Sequence, residues 1–114
     1  MLTTRDEARK VLIDWTDGVL AEQEVWQWAQ RVQEESRPAD DLVRDIIDNL
    51  AVLPFDFITV EDAQVMLDAL ANPLEETDLS VNLLWNYLDM VNSDSRRYKL
   101  ADHPFYGQFV DGAD

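Results

Sequence analysis

The stretch Asp40-Asp41-Leu42-Val43-Arg44-Asp45-Ile46-Ile47-Asp48-Asn49-Leu50 decides the fold class. Leu42, Val43, Ile46, Ile47 and Leu50 share one face at about 100° per residue, the helical period. Asp41, Asp45 and Asp48 fall nearly opposite. The segment from about Ala39 to Val52 is therefore predicted as an amphipathic helix with a solvated acidic face. Asp40 and Asp41 complement the positive end of its dipole.

Working outward, the same period recurs. Upstream, Pro38 disfavours helix at Arg37 and closes a helix from about Ala21 to Glu34. Ala21, Val25, Trp28, Ala29 and Val32 form its apolar face, and Trp26 lies well off it. A first helix is predicted from Thr4, because Thr4 and Glu7 have capping-box spacing. Ala8, Val11, Leu12 and Trp15 are its inward residues, and Gly18 is a natural stop. Downstream, Leu53 to Ile58 reads as a loop with anchoring aromatics. Thr59 then caps a helix to about Ala71, with Val60, Ala63, Met66, Leu67 and Leu70 inward and Glu61 and Asp68 outward. Asn72-Pro73 terminates it. The helix from about Asp78 to Val91 has the widest apolar face, made by Leu79, Leu83, Leu84, Tyr87, Leu88 and Val91, and is expected at the centre of the bundle. Trp85 sits on its polar edge beside Asn82, Asn86 and Asp89. Ser93 to Tyr98 reads as a short sixth helix and Asp102 to Gly107 as a tight turn, with Val110 to Asp114 expected to fray. Regular alternation flanked by hairpin turns is missing. The expectation is an all-α bundle of five to six helices, with residues 1–114 forming a single domain.

Charge narrows the partners. The chain of 114 residues carries 24 acidic side chains against 9 basic ones, a net −15. Residues 38–95 hold 13 acids and one base, Arg44, and no Lys or Arg stands between Asp45 and Ser95. These acids lie on segments with strong apolar periodicity, so they belong to a folded acidic surface and not to a tail. A direct nucleic-acid partner is not expected, since phosphates require a basic patch. A hydrophobic fraction of 46% argues against global disorder. The absence of cysteine excludes disulfides and thiol chemistry. No apolar run approaches the roughly 18 residues of a membrane span, and the charged N-terminus does not resemble a targeting peptide. A cytoplasmic protein with no membrane partner is expected.

Catalytic signals are weak. His103 is the only histidine, beside Asp102 and Tyr106, in what reads as a His-Pro turn. Phosphate-binding glycine loops, nucleophile elbows and His-Glu-x-x-His pairs do not occur. Asp41, Asp45 and Asp48 fit no calcium loop, which alternates ligands around a glycine, and inward Glu-x-x-His pairs are missing too. No cofactor, metal or enzymatic activity is expected. Arg96, Arg97 and Lys99 form the one basic cluster after Arg44 and read as a brace to acidic helices, each surface pair contributing about 0–1 kcal/mol.

The segment Trp15 to Ala29, with its acidic glycine turn and Glu24-Val25-Trp26-Gln27-Trp28-Ala29, resembles the helical hairpin of small bacterial immunity-type proteins. Ile58-Thr59-Val60-Glu61-Asp62-Ala63, followed by the Met66, Leu67 and Leu70 face, is similar to a later part of those families. About half the chain is covered, and Arg96 to Phe109 has no counterpart. The resemblance implies an all-helical inhibitor of one cognate toxin, often a nuclease.

The sequence thus points to an acidic, non-catalytic protein that binds a basic protein partner, such as a toxin. A small adaptor or complex subunit using an apolar or aromatic patch is the alternative, and a small enzyme centred on His103 a third. Asp41, Asp45, Asp48, Glu61 and Asp68 are the candidate partner-binding acids, with Trp85 as aromatic anchor and Trp26 as its substitute. Like charges at i, i+4 cost a few tenths of a kcal/mol per pair, so added salt near neutral pH is expected to raise the melting temperature. A fall in melting temperature with salt would show that attractive pairs to Arg96, Arg97 and Lys99 dominate instead.

Overall fold

A computed structural model describes residues 2–91 and 93–110. The expected frayed end therefore lies outside the described residues from position 111 onward, while Val110 closes a short helix.

The chain forms an all-α bundle. Helices α1 (Arg5–Thr16), α2 (Glu22–Glu35), α3 (Asp41–Ala51), α4 (Val60–Leu70) and α5 (Thr77–Met90) follow one another with short connections, and a 3-10 turn at Leu74–Glu76 leads into α5. Two shorter helices, α6 (Ser93–Leu100) and α7 (Gly107–Val110), complete the described chain. The second of these goes beyond the five or six helices expected. It forms because the turn before it is organised by His103 Nδ1, which accepts hydrogen bonds from the backbone N–H groups of Phe105 and Tyr106.

Local chemistry sets the ends. Thr4 Oγ1 accepts from the Glu7 N–H and caps α1, whose exit uses Gly18 in the left-handed region at φ +80°. Asp40 lies outside α3, not in its first turn as expected, and its Oδ1 caps the Val43 N–H at 3.0 Å. One short pairing was not foreseen: β1 (Leu2–Thr3) runs parallel to β2 (Arg37–Pro38). It joins the N-terminus to the α2–α3 link over only two residues, too few for the alternation by which strands are read.

Helix α2 packs mainly on α3, and α1 on α4, while α5 lies against α3 and α4. The core is made by Ala8, Leu12 and Trp15 of α1, Val25 and Ala29 of α2, the apolar face of α3, and Ala63, Met66 and Leu70 of α4. Val60, expected inward, is exposed at the first position of α4. The expectation that α5 is central is corrected. Only Ser80 and Leu84 of α5 are buried. Helices α3 and α4 already close the core beneath it, so Leu79 and Leu83 at the outer edge of its wide apolar face are left exposed, while Leu88 is partly buried against the core and Tyr87 turns in to Asp62.

The tail is fixed by a buried ion pair. Asp62, 1% exposed, accepts from both Arg96 guanidinium nitrogens, with Nη2 at 2.8 Å, and from Tyr87 Oη at 2.7 Å and the Thr59 N–H at 3.0 Å. Arg96 also donates to the Phe57 carbonyl at 2.9 Å. Phe57 sits at φ +54°, a left-handed conformation that costs a bulky residue about 1–2 kcal/mol and needs such a clamp. Of the basic cluster, Arg96 is therefore a brace, and it acts in a buried site and not in the surface pairs expected for it.

Burial alone pushes the Asp62 carboxyl up, but the hydrogen bonds from Arg96, Thr59 and Tyr87 outweigh it and hold the carboxyl below its usual range. A depressed folded pKa contributes stability above the unfolded value of about 4, lost as pH falls through the lower folded value. Asp62→Asn is expected to cost about 3–5 kcal/mol in urea denaturation at pH 7, since it leaves Arg96 without its anion. The deficit relative to wild type should shrink below about pH 4 as the wild-type carboxyl protonates; a deficit independent of pH would exclude the ion pair as its source.

Candidate functional site

The outer side of α5 is where the described surface departs most from an ordinary solvated helix. Leu79, Leu83 and Met90 fall on one flank at about 100° per residue. Leu79 and Leu83 are half exposed and Met90 is 85% exposed. Leu74, in the turn before α5, is also exposed. Acids lie along the rest of the exposed side: Glu75 and Glu76 in the turn beside Leu74, and Asp78 and Asp89 towards the Trp85 flank, all exposed. None of the four has an ion-pair partner among the described residues.

Trp85 occupies the other flank of α5. It is 42% exposed, and its Nε1–H donates to Asp45 Oδ2 at 2.9 Å. The expectation for Asp45 is thereby overturned. Asp45 is 6% exposed and is not part of a solvated acidic face. Helix α5 lies over this side of α3, and Asp45 accepts from the indole of Trp85 and from Arg44 Nε at 3.3 Å. Its work is to fix the ring of Trp85 and so set the angle of the exposed aromatic surface.

The other predicted acids are dispersed. Asp41 and Asp48 are exposed on α3, where Asp41 pairs with Arg44 Nη1 at 3.2 Å and Asp48 accepts from Gln33 Nε2 at 3.0 Å. Arg44 thus relieves part of the repulsion expected along α3. Asp68, exposed on α4, accepts from Gln64 Nε2. Glu61, exposed at the start of α4, borders the cavity at that helix, and Asp48 borders one against α2. No group of three or more His, Cys, Asp or Glu among the described residues gathers as a metal site would require.

Trp26 is committed to the fold. It is half-buried, donates from Nε1 to the Ala51 carbonyl at 2.8 Å, and meets Phe55, Phe105 and Phe109 edge-on at ring-centroid distances of 5.7–6.0 Å. As substitute anchor it is set aside, because its polar handle is taken by the end of α3 and its ring is packed against Phe55 and the tail. Sequence reasoning could not pair it with aromatic residues some 80 positions away.

Two cavities flank these elements. One of about 290 Å³ lies at the start of α4, among Glu22, Glu61, Arg96, Lys99, His103 and Tyr106. His103 Nδ1 is an acceptor for two backbone N–H groups, so its proton sits on Nε2, 3.6 Å from Glu22 Oε1. Glu22 in turn accepts from Trp15 Nε1 at 2.7 Å. Burial pushes the Tyr106 phenol well above its ordinary range, and its hydroxyl donates to the Ile58 carbonyl. Arg96, His103 and Tyr106 here hold the tail in place. The second cavity, of about 240 Å³, lies beside Trp85.

No family model, curated protein or solved structure matches this chain. No described helix is long and apolar enough to cross a membrane.

Because Trp85 is partly solvated, Trp85→Ala is expected to cost less than about 2 kcal/mol in urea denaturation, below the roughly 3–5 of a buried aromatic. Asp45→Ala, which removes a charge-assisted hydrogen bond, is expected to cost about 1.5–3 kcal/mol and to speed solvent exchange of the Trp85 indole proton. Slow exchange retained in Asp45→Ala would show that packing, not Asp45, orients the ring.

Proposed function

We propose that this chain is a non-catalytic binding protein that engages a basic protein partner through the outer side of α5. The observation that carries the reading is the exposed apolar stripe of Leu79, Leu83 and Met90 on a helix whose exposed acids have no ion-pair partner among the described residues. Exposed apolar residues gathered on one helix flank favour a protein contact over a solvated surface. The acids say which kind of partner. A second copy of this chain would bring Glu75, Glu76, Asp78 and Asp89 against their own equivalents, which repels. A partner with an apolar ridge between Lys and Arg side chains satisfies both features. Opposite potentials accelerate encounter, and the leucines and Met90 supply the desolvated contact that slows dissociation.

A toxin with a basic cleft, such as a nuclease that holds phosphates, is the partner class favoured by the acidity and by the likeness of Trp15 to Ala29 to immunity-type hairpins. Such a partner would be neutralised by occlusion, with no chemistry on this chain. The adaptor reading uses the same apolar stripe and differs in what the partner does once bound.

The test compares proteins captured from a source lysate by the wild type and by a Leu79→Asp, Leu83→Asp variant. The result expected is a basic protein retained by the wild type at low salt, released faster from the variant, and associating more slowly as the Debye length shrinks. If that protein is a nuclease, one equivalent of this chain should stop its cleavage. Identical capture by both forms, or loss only of an acidic protein, would contradict the proposal.

A further inference from the structure

The cavity beside Trp85 lies where the end of α3, the following loop and the second half of α5 meet. Trp85 forms one wall, Asp56 and Asp89 stand at the rim, and Ile58 and Leu88 line the base. At about 240 Å³ it is smaller than the roughly 300–1,000 Å³ that drug-sized ligands occupy. Its size suits a single side chain.

Three observations define the chemistry of that side chain. The first is electrostatic: Asp56 and Asp89 are exposed and have no ion-pair partner among the described residues, while no Lys or Arg occurs between Asp45 and Ser95. The second is Asn49, which lines the cavity and is 7% exposed. Its Nδ2 donates to the Asp45 carbonyl at 2.7 Å, which fixes the amide orientation. Its Oδ1 has no hydrogen-bond partner among the described residues, yet it is not among the atoms sealed from solvent. An acceptor that reaches solvent from a fixed amide is open to a donor from outside. The third is the ring of Trp85, held by Asp45 through Nε1 and therefore set in place before any ligand arrives. An indole face attracts a cation, most of all a planar guanidinium that can stack on it.

We infer that this cavity seats an arginine side chain of the protein partner, with the guanidinium beside Trp85 and its N–H groups directed to Asp56, Asp89 and Asn49 Oδ1. Lysine matches the charge but has neither the planar face nor the spread of donors for three separate acceptors. The inference rests on the protein-binding reading above and adds a specific recognition element to it, on the flank of α5 away from Leu79 and Leu83.

The test is a nuclear magnetic resonance titration of the full chain with acetyl-Gly-Arg-Gly-amide. The citrulline peptide, which keeps the shape and loses the charge, is the control. Saturable shifts are expected at the Trp85 indole N–H and the Asn49 side-chain amide. Citrulline should bind roughly tenfold more weakly, because the charge-assisted hydrogen bonds are lost. Asp56→Asn with Asp89→Asn should abolish the response, and Asp68→Asn, on α4, should leave it intact; these exposed substitutions do not threaten folding. Equal binding of citrulline, shifts spread evenly over all acidic positions, or tighter binding of free arginine than of the peptide would overturn the inference. The two readings fail separately. A silent cavity, with a basic partner still lost from the Leu79→Asp, Leu83→Asp variant, removes the arginine seat alone. A responsive cavity, with capture unchanged in that variant, removes the α5 interface and leaves the seat.

Discussion

At the start of α4 one buried carboxylate, Asp62, accepts hydrogen bonds from Arg96, Tyr87 and the Thr59 backbone, and so ties α4, α5 and α6 at one point. Arg96 extends the tie to the Phe57 carbonyl, in the loop that links α3 to α4. A buried charge left alone would be strongly destabilising, so the four segments are bound to one another by a shared electrostatic requirement. The orientation of α5 follows from it. Tyr87 turns inward to reach Asp62, with Ser80 and Leu84 on the same side, and Leu79, Leu83 and Met90 are carried to the outside.

Positive charge is scarce in this chain, and the fold commits much of it internally. Arg5 donates to Asp40 at 2.7 Å, to the Asn72 carbonyl and to Thr77, joining the starts of α1, α3 and α5 to the end of α4. Arg9 donates to the Leu70 carbonyl, a group otherwise left open at the helix end. The acids have no comparable employment. Asp40, Asp45 and Asp62 act inside the structure, and most of the remainder are left at the surface. The net −15 is thus concentrated outside by the same contacts that hold the helices together.

How far the sequence discloses this depends on range. Helices α1 to α4 are legible because their cues are local: Thr4 before Glu7, Pro38 after Arg37, and apolar spacing in α3. The misreadings at Asp40 and Val60 are local slips at helix starts; the larger ones are long-range. Periodicity counts the apolar residues of α5 but cannot say whether neighbours exist to cover them, and α3 and α4 had already closed the core. Asp45 looks solvated on a helical wheel, and its partner Trp85 lies 40 positions away. Asp62 shows its capping spacing to Thr59, but its pairing with Arg96, 34 residues on, has no local trace. Of the candidate site, the place of Trp85 on the polar edge of its helix was readable, and its exposure was not. The use of Asp45 to hold it, and of Trp26 to dock Phe105 and Phe109, was not.

The central claim is that the outer side of α5, with its apolar stripe and exposed acids, is where another protein binds. Hydrogen–deuterium exchange on the complex with the captured basic partner tests it most directly. New protection is expected in residues 74–91 and around Asp56, with α1 and α2 unchanged. Protection confined to α1 and α2, with α5 exchanging as it does in the free chain, would contradict it.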